Sequence, residues 1–118
     1  MSELRTKVDD LNTRILNGDI LGAFEDYYAD DVVMIDAGQP AREGKDINRT
    51  YEEAFVNGLS EFRGAEVKAV AVDEDKGKAL VEWHFDFTHN DYGVQKYDQV
   101  AVQTWKDGQI VEERFYKL

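Results

Sequence analysis

Apolar and polar positions alternate with two different periods in the two halves of the chain. In the first half, apolar residues recur every three or four positions. Leu4, Val8, Leu11 and Ile15 form one stripe, with Lys7, Asp10 and Arg14 between them. That spacing predicts an amphipathic helix over about residues 2–17. Gly18 suits the left-handed position past its end, and Asp19 can cap a second helix carrying Ile20, Phe24, Tyr27 and Tyr28. That helix stops near Ala29, and an apolar strand runs from Val32 to Asp36. Residues 37–43 read as a loop with the only proline, Pro40. A third helix is predicted from about Lys45 to Asn57, with Ile47, Tyr51, Ala54 and Phe55 as its apolar stripe and Gly58 ending it.

From Phe62 onward the period is two. Strands are predicted over Ala65–Asp73, Lys78–Thr88, Val94–Lys106 and Gln109–Lys117, separated by polar turns. Asp107-Gly108 is a strong hairpin signal. The second of these strands puts Ala79, Val81, Trp83, Phe85 and Phe87 on one face. The third puts Tyr97, Gln99, Ala101, Gln103 and Trp105 on one face, and the last does so with Val111, Glu113 and Phe115. Helices, one strand, a helix and four strands make an α+β domain with an antiparallel sheet. A long, twisted sheet curling around helices makes a cone with an open end.

A chain of 118 residues is one domain, spanning residues 1–118. There are no cysteines, so thiol and disulfide chemistry are excluded. No apolar run reaches membrane-spanning length and the first residues lack a signal-peptide pattern, so the expected location is the cytoplasm. The formal net charge of −11 argues against nucleic acid and anionic membranes as partners.

On the strand before the loop, Val32, Met34 and Asp36 share a face. If that face is inward, Asp36 stands at a pocket edge, where apolar walls raise a carboxyl's pKa and suit it to proton transfer. A loop-capping aspartate is the other reading of the same position. Glu113 reads either as inward, between Val111 and Phe115, or as an exposed strand residue. Trp83, Phe85, Phe87, Trp105 and Phe115 form an apolar wall; stripes of this kind are usually core, and in a cone they can also face a flat apolar ligand. His84, Asp86 and His89 are the one metal-like cluster, but the spacing matches no tight site and surface or subunit contacts are preferred; no metal and no cofactor are expected.

The segment Tyr28-Ala29-Asp30-Asp31, four residues, then Asp36 resembles the part of ketosteroid isomerases that holds the catalytic base. Asn17-Gly18-Asp19-Ile20 is similar to the family's turn between the first two helices. Residues Pro40 to Ile47 resemble the approach to the third helix, and Trp105 to Ile110 the last hairpin. The chain is thus identified as resembling the SnoaL-like and ketosteroid-isomerase-like members of the nuclear-transport-factor-2-like superfamily. The resemblance implies three helices packed in the concave face of a highly curved sheet, a cystatin-like α+β barrel, and dimers formed through the outer sheet face. It also implies a base at Asp36 and a polar residue at Glu113. Ketosteroid isomerases pair the base with a tyrosine and a protonated aspartic acid. Here those places fall near Leu11 and Asn12 and on Ala101, so neither donor is present. Gln99 and Gln103 flank Ala101, and Tyr28 or Tyr97 can reach inward as replacement donors.

Three functions follow as expectations. The first is a cofactor-independent isomerase or cyclase that moves a proton next to a carbonyl, with Asp36 and Glu113 as catalytic residues and Asp36 buried, its pKa raised. The second is a binding module in which Tyr28, Trp83, Phe85, Tyr97, Gln99, Gln103, Trp105 and Phe115 hold a small apolar molecule. The third is an assembly domain. Val33, Ile35, Val100, Val102 and Ile110 on the outer face predict a homodimer.

Overall fold

The computed structural model describes residues 2–118. Helix α1 spans Glu3–Leu16 and begins where the Ser2 hydroxyl accepts from the Arg5 backbone N–H at 2.9 Å. Its stripe is the predicted one: Leu4, Val8 and Leu11 are buried and Ile15 packs against the same core. Helix α2 spans Ile20–Tyr27. Asp19 does not cap it through its side chain, which takes the Arg14 Nε–H at 2.8 Å instead. A charged donor so close outcompetes the helix's own amides.

Strand β1 spans Tyr28–Asp36, starting earlier than predicted because Tyr28 already has extended backbone. Residues 42 and 43, expected in a loop, form the short strand β2, Arg42–Glu43, which turns back against Met34 and Val33. Helix α3 spans Lys45–Gly58. Strands β3 (Leu59–Asp73), β4 (Lys78–His89), β5 (Gly93–Lys106) and β6 (Gln109–Lys117) follow. The β5–β6 turn has Asp107 and Gly108 at φ 53° and 80°, the left-handed pair that the sequence Asp-Gly favours.

The sheet order is β2-β1-β6-β5-β4-β3. All neighbours run antiparallel except β1 and β6, which are parallel, so the sheet is mixed rather than wholly antiparallel. It is not closed into a barrel; β2 and β3 are its free edges. The helices cover one face, and α1, α2, β1 and β4–β6 bury a core around Val8, Leu11, Phe24, Val32, Met34 and Val81. Each such side chain contributes about 1.5–3 kcal/mol through burial. Among the described residues no helix is long and apolar enough to cross a membrane.

Two faces differ from the sequence prediction. On α3, Ile47 and Ala54 are exposed and Tyr51 stands at the cavity rim; Phe55 turns inward as predicted, beside the polar Asn48 and Glu52. Asn48 is fully buried because its amide donates to the carbonyls of Arg42 and Gly44, tying the helix to β2. On β6, Ile110 lies in the core and not on the outer face. A bulge between β5 and β6 pairs Trp105 with Ile110 but Thr104 with Glu112. The extra residue, Val111, reverses the alternation, so Ile110 and Glu113 both point inward.

Candidate functional site

The open end of the sheet and the three helices enclose a cavity of about 700 Å³. That volume is in the range of small-molecule sites. Most of the chain's aromatic residues line it, from Phe24 and Tyr28 on one side to Phe55, Trp83, Phe85 and Tyr97 on the other. The register explains the wall. Trp83 pairs with Gln99, Phe85 with Tyr97, Ala101 with Phe115 and Gln103 with Glu113, so these side chains share the concave face. Trp83 and Phe85 stack at 5.1 Å, which leaves a flat apolar surface.

Glu113 is the polar centre. It is 3% exposed. Its Oε1 accepts from the Tyr28 hydroxyl and its Oε2 accepts from Gln103 Nε2–H at 2.8 Å. Tyr28 is itself fixed by stacking on Phe24 at 4.8 Å. The Gln103 amide is oriented from behind: its Oε1 accepts from Trp105 Nε1–H at 2.9 Å, which aims the NH₂ group at the carboxyl. Burial pushes the Glu113 carboxyl up to about 7, against the opposing pull of these two neutral donors, and the nearby Asp36 charge adds to the rise. Burial and the Glu113 charge hold the Tyr28 hydroxyl far above its ordinary value, so it stays a donor.

A second carboxyl stands in the same cavity. Glu52, on the inward face of α3, is half-buried and its pKa is also raised to about 7, first by desolvation and then by the charge of Glu113. Asn12, on α1, is buried against the cavity, and both its side-chain polar atoms are unpartnered among the described residues.

Asp36 lines the cavity but is not the buried base that the sequence predicted. Its side chain is 37% exposed, and its Oδ2 accepts from Arg42 Nη1–H at 2.8 Å. The cause is β2, which folds Arg42 back over the end of β1. Arg42 also donates to Asn48 Oδ1 at 3.2 Å and lies 3.8 Å above the Tyr51 ring. Asp36, Arg42 and Tyr51 therefore form a salt-bridged rim at the cavity.

Of the other predicted residues, Tyr28, Trp83, Phe85, Tyr97, Gln99, Gln103, Glu113 and Phe115 all meet in the cavity. Trp105 does not line it: the ring packs edge-on against Tyr27 in the core and acts on the site through Gln103. Gln103 is not a free donor, because its NH₂ is engaged by Glu113. His84, Asp86 and His89 do not converge. His84 pairs with Asp98, Asp86 with Arg63, and His89 is buried between Phe55 and Tyr92. Among the described residues no three metal-ligating side chains come together. Sequence reasoning missed Glu52, Asn12 and Arg42; the one signal was polar residues at helical spacing, Asn48 and Glu52, on the same face as Phe55.

The sequence model of the SnoaL-like domain matches residues 8–113. The chain belongs to the SnoaL-like family. A structure from Mesorhizobium loti, described as a candidate SnoaL-like polyketide cyclase, is 28% identical. It superposes with a TM-score of 0.84 over 98% of this chain and 99% of the other. A protein with cystatin-like fold from Xanthomonas campestris, 16% identical, gives 0.83 over 98% and 91%. An LEH-like epoxide hydrolase from M. tuberculosis, also 16% identical, gives 0.78 over 98% and 83%. At the lower identities the likeness is one of fold. No curated protein matches the sequence significantly.

Proposed function

We propose that this SnoaL-like protein binds a small, mostly apolar carbonyl compound in the cone and moves a proton next to the carbonyl, with Glu113 as the base. The supporting observation is a buried carboxyl on the cavity wall, held by the neutral donors of Tyr28 and Gln103 and pushed up to a pKa of about 7. A base matched to the ambient pH is ionised often enough to accept a proton and acidic enough afterwards to return it. Ionised Glu113 takes the proton from the carbon beside the carbonyl, and the electron pair moves onto the carbonyl oxygen. Tyr28 and Gln103 hold the carboxylate in place for the transfer. The developing oxyanion needs a donor. Asn12 Nδ2–H, buried at the cavity wall and unpartnered among the described residues, supplies one on turning toward the ligand, and it stands near the place where the family resemblance sets a tyrosine. Glu113, protonated in the first step, then returns the proton to carbon.

The test is α-proton exchange. A panel of cyclic and aryl ketones is incubated with the protein in D₂O near neutral pH and followed by NMR. Exchange above background is expected for the wild type and for Asp36→Asn, and loss is expected for Glu113→Gln. Equal exchange by Glu113→Gln overturns the assignment. Gln99, Ala101 and Gln103, where the resemblance sets an acid, favour a second reading: a binding module for an apolar ligand. Ligands that quench Trp83 fluorescence yet never exchange would support it.

The proposal includes a homodimer. Val33, Ile35, Val100 and Val102 are half-buried on the face away from the cavity, and a two-fold partner would cover them.

A further inference from the structure

We propose that the cone selects ligands carrying a positively charged amine, which the Glu52 carboxylate receives; this names the substrate class of the site described above and rests on that site taking a small molecule.

Glu52 has no hydrogen bond and no ion pair among the described residues, although its side chain lines the cavity. A carboxyl in such a place is costly to charge without a counterion. The groups that face it are known. Glu113 of β6 and Asp36 of β1 repel its charge, Arg42 of β2 attracts it, and Tyr28 of β1 is neutral. Arg42 is committed elsewhere: Asp36, Asn48 and the Tyr51 ring hold its guanidinium. The other cation on the cavity wall among the described residues, Lys117, sits 4.3 Å above the Tyr97 ring at the exposed end of β6. Among the described residues the cavity wall therefore carries the carboxyls of Asp36, Glu52 and Glu113, and both of its cations, Arg42 and Lys117, are engaged away from Glu52.

A ligand ammonium supplies the missing charge. It pairs with Glu52, and the aromatic walls, with Phe55 one residue-turn away on the same helix, present ring faces that attract a cation. An anion would meet the field of Glu52, Glu113 and Asp36. A neutral ligand would leave Glu52 covered by the ligand and unpaired, to be relieved by taking up a proton. The amine also assists the chemistry: once Glu52 is neutralised by the ion pair, its repulsion of Glu113 is cancelled and Glu113 ionises more readily as the base.

The sign of the proton linkage separates the cases. An amine that needs Glu52 ionised displaces its proton, so affinity rises with pH; a neutral ligand that prefers the protonated carboxyl binds less well as pH rises. Calorimetry on the wild-type protein, with naphthylmethylamine and its neutral counterpart naphthylmethanol, tests this at about pH 6 and about pH 8. For a group titrating at about 7, the amine should gain about tenfold in affinity over that interval and release protons on binding. The alcohol should bind at least about tenfold more weakly than the amine at the higher pH, the loss of one ion pair's about 1.4 kcal/mol. Glu52→Gln should remove both the preference and the pH dependence for the amine while leaving the alcohol bound. Equal affinity of amine and alcohol at the higher pH overturns the proposal, as does an amine that does not bind there, or Glu52→Gln binding the amine like the wild type. The comparison of amine with alcohol on the wild type does not depend on the variant folding. Ketone exchange in Glu113→Gln is a separate readout: amine selectivity can fail while Glu113-dependent exchange persists, and exchange can fail while selectivity persists.

Discussion

Replacing Glu113 by glutamine should make the protein more stable at alkaline pH while removing the group proposed to transfer the proton. The carboxyl titrates at about 7 in the folded protein against an ordinary value of 4.5. The folded state therefore holds a proton that the unfolded chain gives up. Stability associated with that proton is complete below about 4.5, falls as pH rises between the two values, and is gone above about 7. At about 1.4 kcal/mol per pH unit the full span is about 3 kcal/mol. Glutamine keeps the shape and still accepts from Tyr28, but its NH₂ group opposes the Gln103 NH₂ that now donates to Oε2. Gln103 cannot flip to suit it without losing the Trp105 bond. One compromised hydrogen bond costs about 1 kcal/mol, which leaves a net gain of about 2 kcal/mol above pH 7 and a small loss at about pH 5. Urea unfolding of both proteins across about pH 5 to 8, followed by circular dichroism, gives the difference directly. Glu52 contributes a slope of the same sign to both proteins, shallower in the variant because the Glu113 charge no longer raises its carboxyl, and this adds to the gain of the variant at high pH. Parallel stability curves for variant and wild type would refute the assignment of a buried, proton-holding Glu113.

Three further outcomes are expected. Trp105→Phe removes the donor that orients Gln103 and leaves the buried Gln103 oxygen unpaired, so stability should fall by about 1–3 kcal/mol. Its more specific effect is a Glu113 pKa above the wild-type value, seen by carboxyl NMR. Gly58→Ala places a Cβ 2.2 Å from the His89 ring, which is buried between Phe55 and Tyr92 and has no room to retreat. Overpacking of this kind should cost about 1–3 kcal/mol in thermal or urea unfolding. Light scattering should give twice the chain mass of 13.5 kDa for the wild type and the single mass for Val102→Lys, which would bury an unpaired charge at the proposed dimer face.

Much of the cavity wall was legible in the sequence because strand alternation is a local property. Trp83, Phe85, Tyr97, Gln99, Gln103 and Phe115 alternate in unbroken runs and do converge. The α1 stripe was legible for the same reason. The errors have non-local causes. Ile110 was misplaced because one bulge residue, Val111, reverses the phase of β6, and a bulge leaves no mark on hydrophobic period. Asp36 was misjudged because its environment depends on Arg42, brought back by a two-residue strand too short to announce itself. Glu52 was passed over because the face of α3 that borders the cavity is partly polar, while two members of the apolar stripe, Ile47 and Ala54, turn to solvent. The parallel β1–β6 pair joins segments far apart in the chain, and no turn signal encodes it. Trp105 read as ligand wall on alternation alone; the helix α2 ring of Tyr27 covers it instead.

The central claim is that Glu113 is a protonatable group poised near neutral pH inside a ligand cavity. A carbon-detected NMR titration of the glutamate carboxyls tests it most directly, with Glu113→Gln identifying one resonance and Glu52→Gln the other. Two carboxyl signals should titrate near 7, and the one absent from Glu113→Gln should move upward again in Tyr28→Phe, where a donor to the carboxylate is lost. A Glu113 signal titrating at or below the ordinary value of 4.5 would contradict the account.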